Sequence, residues 1–533
     1  MKQSPRSGPR QGKGDSHPLL LPLLFYALGV AAYLAFRYGG NWLDTDTTAL
    51  TRAAQATLDQ ATLNPGREAY GHGFTYPLAV AWIAQLAGLS IPTLQTVILP
   101  MAGAVALAVV ALALFRALLG EWMPAALATL MLYLQPDFLF VTFRGSHEKF
   151  IWPLAMLALL ILYRSAGRPQ GLRRLAVHVG LFYLTVFALI ATNTFFASMF
   201  ITAITLGLVL GLVVGWWQHR RSRQPPPSDL QRLALISAAG MVGIFLFMFY
   251  IYTPAGDALR FLRGIADRVA TLFVGFEAQA APYEYISTGW IDPRVWWALT
   301  LFTWSLLLGS LAEWLYQGRR LLRGATLHLP EALPWLLYAG FAGQIAAAVA
   351  LDFAGVLAAN MQLRILPGLT IFAVALAAQG LSRLLSRAWV GGHHHRFLFA
   401  GLALLAGGFT VASLLKASND PIVSNKWGFY SPAEKSALRW TDTHLQYAGV
   451  WMGMDERLPN VYGVFYADRS DSGNVYDVYT PESTTRFFLL SETEQLRHAR
   501  VGLPLPAVSL ENQVYDNGEA QLYHKRPRTP YQR

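Results

Sequence analysis

Long apolar runs separated by short polar stretches are the dominant pattern in this 533-residue chain. The runs reach 18 to 25 residues, enough for a helix to cross about 30 Å of hydrocarbon. They are continuous and do not alternate, which excludes the strand pattern of a membrane β-barrel. Eleven spans are predicted, at 18–36, 95–117, 122–142, 149–164, 174–191, 194–217, 232–252, 293–312, 332–351, 365–384 and 397–416. A further apolar stretch at 74–90 contains Pro77 and ends near Ser90 and Pro92. It reads as a helix lying on or dipping into the membrane, because counting it as a span inverts the charge pattern downstream.

The pattern changes after residue 416, where 417–533 is polar and mixed. Ser431 followed three residues later by Glu434 predicts a capped helix over 431–440. Tyr515-Asp516-Asn517-Gly518 leading into Glu519–Tyr523 predicts a hairpin with an Asn-Gly turn. The expected architecture is a polytopic α-helical membrane protein with a small α/β C-terminal domain. Residues 1–17 form a basic tail, 18–416 the membrane domain and 417–533 the C-terminal domain. No internal repeat of the transporter kind is visible.

Charge orients the chain. Lys2, Arg6, Arg10 and Lys13, then Arg116, Arg164, Arg173, Arg220, Arg319 and Arg383, all fall on the side of the N-terminus. The positive-inside rule makes that side cytoplasmic. Two large loops, 37–94 and 253–292, and the C-terminal domain are then outside, in a multi-pass protein of the plasma (inner) membrane. Composition agrees: 54% of residues are hydrophobic and 14% charged. The net charge of +11 sits in short loops and does not point to nucleic acid. With no cysteine there are no disulfides or thiolate metal sites. The first apolar run has no small-residue cleavage pattern after it, so no cleaved signal is expected.

Three polar groups on the expected outer side carry candidate chemistry. Asp44-Thr45-Asp46 follows the first span. These carboxylates can serve as a base, a metal ligand or a helix cap, with Asp46 the expected N-cap of a helix beginning at Thr47. Arg144-Gly145-Ser146-His147-Glu148-Lys149 joins two spans with almost no loop. It is either a tight hydrophilic turn or the lining of a cavity, and His147 with Glu148 could help bind magnesium or manganese. Arg364 is a lone cation at the start of a span. It reads as a snorkelling interface residue or as a phosphate clamp. Tyr70, His72 and Tyr76, in a Gly-aromatic stretch, are candidate substrate contacts or part of an aromatic belt. His393-His394-His395 lies on the other side and reads as a solvated loop.

These groups resemble those of the GT-C superfamily of multispanning glycosyltransferases that use polyprenyl-phosphate sugars. Asp46 with Arg52 is similar to the Asp-x5-Arg spacing of oligosaccharyltransferase-like members, and Arg144-Gly145-Ser146 with Glu148 loosely resembles their second acidic element. Their Trp-Trp-Asp motif is absent from the C-terminal region, which argues against protein N-glycosylation. The resemblance implies transfer of a sugar from a polyprenyl-phosphate donor to a lipid, glycan or protein acceptor outside the membrane, with inversion. Asp46 would be the base, with Asp44 in reserve. Arg364, Arg144 and Lys149 would bind the donor phosphate, and His147 and Glu148 would orient substrate. It implies either no cofactor or a divalent cation. A transporter or flippase of lipid-linked sugars is the alternative, using the same charges without chemistry.

Overall fold

In the computed structural model, the described residues are 20–61, 73–166, 171–222, 291–353 except 324 and 326–328, 361–389, 395–445, 449–466, 485–508 and 512–525, with a few isolated positions between 236 and 270. The span expected at 232–252, most of the loop 253–292, and Tyr70 and His72 lie outside them.

The membrane bundle comprises α1 (Leu20–Tyr38), α4 (Ile91–Leu119), α5 (Trp122–Tyr133), α6 (Pro136–Phe143), α7 (Glu148–Ala166), α8 (Leu172–Thr192), α9 (Thr194–Ser222), α10 (Pro293–Leu322), α11 (Leu329–Phe353), α12 (Met361–Trp389) and α13 (His395–Ala417). Nine helices among the described residues are long and apolar enough to cross a membrane, and α5 with α6 forms a tenth, bent span. Ten of the eleven expected spans therefore have a helical counterpart. Helix α4 packs against α1, α5 and α7 and carries much of the shared core, including Leu107, Ala111 and Phe115.

The third span departs from expectation. It is not one helix: α5 and α6 meet at 70° around Leu134 and Gln135. Pro136 is the cause, because its ring cannot continue the preceding helix but suits the first turn of a new one. The carbonyl of Leu134 is freed and accepts from Ser413 Oγ at 2.6 Å, which ties α13 to the break.

The chain between α1 and α4 is more than a loop. It contains α2 (Thr45–Gln60) and α3 (Thr75–Ala87), which bury Leu50, Ala54, Tyr76 and Val80 in a core of their own. At 13 residues α3 is about 20 Å long, too short to cross a bilayer.

The C-terminal residues form α14 (Pro432–His444), β1 (Val450–Trp451), α15 (Arg457–Phe465), β2 (Phe487–Ser491), α16 (Glu492–Val501), β3 (Asn512–Asp516) and β4 (Ala520–His524). The sheet has the order β1-β2-β4-β3 and is antiparallel except for β1 with β2. The expected capping box at Ser431 and Glu434 is present. So is the hairpin, where Gly518 takes a φ of +94° and Asp516 accepts from its N–H at 2.7 Å. Arg457 is buried in this domain and donates to Glu434 at 2.7 and 2.8 Å and to Glu494 at 2.8 Å.

Two contacts lock this domain to the start of the chain. Leu43 N donates to Gly428 O at 2.8 Å and Tyr430 N to Asn41 O at 3.1 Å, a short antiparallel pairing. Gly428 is needed there, since a Cβ would lie 2.7 Å from Trp42 Nε1. Beside it the buried Asp420 carboxylate accepts from Arg37 at 2.8 Å and from Tyr38 at 2.7 Å.

Candidate active site

Asp44, not Asp46, caps α2. Its extended backbone (φ −128°, ψ 174°) lets the carboxylate accept from the Thr47 N–H at 3.2 Å and from the Thr47 hydroxyl. The helix therefore begins two residues earlier than the sequence suggested, and Asp46 lies in its first turn. A carboxylate is favourable there, next to the positive end of the helix dipole. The change separates the pair. The Asp44 side chain is 12% exposed and the Asp46 side chain 43%. Burial pushes the Asp44 carboxyl above its ordinary range, partly offset by the nearby Arg144 guanidinium.

Residues 144–149 make the turn from α6 into α7 and sit directly on α2. Gly145 N donates to Thr47 Oγ1 at 3.0 Å, so one buried threonine links the cap to the turn. Gln95 supports both from below, accepting from Thr51 Oγ1 at 2.6 Å. It occupies a π-helical turn, Leu94–Ile98, at the start of α4. Such a widened turn inside an α-helix is often found at functional sites.

Arg144 organises the charges. Its Nη1 lies 3.0 Å from Asp46 Oδ2 and 3.8 Å from Asp44 Oδ2. Its Nη2 bonds Glu148, and its Nε donates to Ser146 Oγ at 2.9 Å. Ser146 in turn donates to the second Glu148 oxygen. A single guanidinium thus faces three carboxylates. His147 is buried beside Glu148, and Asn193 Nδ2 approaches its Nε2 to 2.8 Å. Asn193 Oδ1 accepts from Phe196 N at 3.1 Å. This turns the amide's NH2 toward the imidazole and makes Nε2 the acceptor.

Asp46, Arg144, His147, Glu148 and Arg364 line one cavity of about 590 Å3. Arg364 stands on the first turn of α12, with its guanidinium 6.0 Å from the Phe195 ring centre. The walls between are aromatic and apolar, including Phe140, Trp152, Phe196 and Pro367.

Three other expected contacts stand back from this cavity. Asp44 lies behind Asp46 as the cap. Lys149 is buried, with Nζ 3.4 Å from Gln95 O. Tyr76 is fully buried, its ring 6.5 Å from that of His147. One charged lining residue was missed: Asp137, exposed to the cavity from the first turn of α6. A carboxylate inside the apolar run 122–142, next to Pro136, was the available signal.

A divalent cation fits this donor set poorly. Both Glu148 oxygens are engaged by Arg144 and Ser146, and the guanidinium occupies the space between the carboxylates. No group of three or more metal-ligating side chains occurs among the described residues.

No family model matches the chain, and no curated protein matches it. Solved structures do. One is the archaeal oligosaccharyltransferase AglB from Archaeoglobus fulgidus, in complex with an inhibitory peptide and a dolichol-phosphate. It is 16% identical over 87% of this chain and 61% of that one, with a TM-score of 0.46. Another is ArnT from Cupriavidus metallidurans bound to undecaprenyl phosphate, 13% identical over 95% of this chain and 98% of that one, with a TM-score of 0.38. A third is the arabinofuranosyltransferase AftD from Mycobacteria, 13% identical over 96% of this chain and 40% of that one, with a TM-score of 0.45. The chain spans about six-tenths of the archaeal enzyme's length.

Proposed function

We propose that the chain is a membrane glycosyltransferase that moves a sugar from a polyprenyl-phosphate carrier to an acceptor hydroxyl, with inversion at the anomeric carbon. The observation that carries this reading is the convergence of Asp46, Arg144, Glu148 and Arg364 on one cavity, although they come from three separate parts of the chain. A pocket that holds a carboxylate and a phosphate-binding cation on aromatic walls suits a sugar phosphate.

The acceptor oxygen attacks the anomeric carbon while the bond from that carbon to the phosphate oxygen breaks on the opposite ring face. The acceptor proton passes to the Asp46 carboxylate, the more accessible of the two aspartates. The bonding pair leaves with the phosphate, whose growing charge is met by Arg364. Arg144 holds Asp46 in place and leaves Asp44 to the helix cap. Glu148, fixed by Arg144 and Ser146, and Asp137 are placed to accept from sugar hydroxyls. The orientation expected from charge puts the cavity on the extracytoplasmic side, in a multi-pass plasma-membrane protein.

The test is transfer of a radiolabelled sugar from undecaprenyl or dolichyl phosphate by the purified protein. Asp46→Asn should lower turnover by about 100-fold or more, the range expected for loss of a general base. Full turnover by that variant removes Asp46 as the base. Carrier movement across vesicles without any transfer would favour a flippase.

A further inference from the structure

A second cavity, of about 940 Å3, lies on the other flank of α2, between that helix, the corner joining α3 to α4, and α14 and α15 of the C-terminal domain. At about 100° per residue, Gln55 in this cavity points away from Asp46, half a turn round α2. The helix is therefore a partition between two chambers.

Its charges are unmatched. Arg52 makes no hydrogen bond or ion pair among the described residues, and its Nε is buried without a partner. The guanidinium rests on the bare backbone of Gly463, where a Cβ would lie 3.0 Å from Nη2. Lys435 also has no ion pair among the described residues; its Nζ sits over the Phe465 ring at 3.8 Å. Asp59, the one acidic residue among the described lining residues, accepts from Gln55 at 3.0 Å and is bonded to neither cation. A half-buried cation without a counter-charge gains more from an anion than a solvated surface cation does. The remaining walls include the side-chain amides of Gln55 and Gln85 and the aromatic side chains of Phe465 and Tyr466. Amides satisfy sugar hydroxyls, and aromatic faces pack against the C–H face of a pyranose ring.

We propose that this cleft binds an anionic saccharide, with its carboxylate or phosphate between Arg52 and Lys435 and a sugar ring against Phe465 and Tyr466. The inference does not depend on transfer chemistry, because binding is measured without a donor.

Full-length protein in nanodiscs of neutral lipid is titrated calorimetrically with four probes: tetragalacturonate, a phosphorylated oligomannoside, neutral maltotetraose and inorganic phosphate. At least one of the two anionic saccharides binds, with an affinity that falls as salt rises. The double variant Arg52→Gln/Lys435→Gln weakens that binding by about tenfold or more, while Lys435→Arg stays within about threefold of the parent. The thermal transitions of both variants show whether they are folded. The proposal is overturned if neither anionic saccharide binds below about 1 mM. It is also overturned if maltotetraose or phosphate alone binds as tightly, or if the folded double variant keeps the parent's affinity.

Discussion

Gly145→Ala tests whether catalysis depends on the close seat of the 144–149 turn on α2. A Cβ at this position would stand 2.6 Å from both Thr47 Cγ2 and Thr47 Oγ1. Thr47 is fully buried and β-branched, so it has no easy rotamer into which to retreat. Ordinary contact begins at 3.4 Å, and the turn must therefore lift by roughly 0.8 Å. Such overpacking costs about 1 to 3 kcal/mol. Loss of the bond from Gly145 N to Thr47 adds about 1 kcal/mol. The effect on rate should be larger in proportion, because the same movement carries Arg144 away from Asp46, and a misplacement near 1 Å costs about 100-fold. Adding Thr47→Ala removes the two atoms at 2.6 Å and leaves only the Thr47 Cβ, at 3.0 Å, so the double variant should transfer faster than Gly145→Ala alone, with a coupling of about 1 to 3 kcal/mol. Initial rates of sugar transfer and tryptophan-detected melting, measured on the same preparations, read the two effects separately. The reasoning is refuted if Gly145→Ala has the parent's rate and melting temperature. It is equally refuted if the double variant is no faster than the single one.

Asp44→Asn should keep the cap, since Asn also accepts from the Thr47 N–H, and should retain most of the transfer rate that Asp46→Asn loses. Burial raises the Asp44 carboxyl above its unfolded value, so the parent's contribution from this group is lost as pH rises through the folded pKa. The Asn variant should lack that loss, and melting curves at several pH values check it. Glu494 has the opposite sign. Burial opposes its ionisation, but His498, Arg457 and Arg497 outweigh burial and hold the carboxyl far below the usual range. Its stabilisation is present above the ordinary glutamate pKa of about 4.3 and is lost as pH falls below it. Protease cleavage within 450–524 of the full chain should therefore rise on acidification, and should rise less in Glu494→Gln, which is already weakened at neutral pH. Asp420→Ala removes the buried acceptor of the half-exposed Arg37 and of Tyr38 and should cost about 1 to 3 kcal/mol, seen as a lower melting temperature. An unchanged melting temperature would contradict the role given to this joint.

The membrane bundle was legible because apolar length is a local property: each run announces its own helix. The capping box at Ser431 and the Asn517-Gly518 turn were legible for the same reason. The site was legible only as residue types on one side of a membrane, namely Asp46, Arg144, His147, Glu148 and Arg364. Hydropathy could not show that the span 122–142 breaks at Pro136, so Asp137 stayed hidden among apolar neighbours. Nor could it divide the 144–149 cluster, in which Glu148 lines the cavity and the next residue, Lys149, turns about 100° away toward Gln95. Neighbours across hundreds of residues leave no local trace. The pairing of Trp42 with Phe429 belongs to that class.

The lock between the start of α2 and the C-terminal domain has a consequence for biosynthesis. Thr45 donates to Glu456 at 2.9 Å and Thr48 to the Asn460 carbonyl at 3.1 Å, contacts separated by 411 and 412 residues. At about 5 to 20 residues per second, the ribosome needs roughly 20 to 80 s to make the second half of each contact after the first. Through that interval the bundle can insert helix by helix while the segment bearing Asp46 still lacks its outer support. Chains released before about residue 460 would hold every helix that lines the cavity yet lack the contacts that seat the start of α2 on the C-terminal domain. Under the proposed function, transfer is expected to begin only late in synthesis, once residues 456–460 have docked on α2.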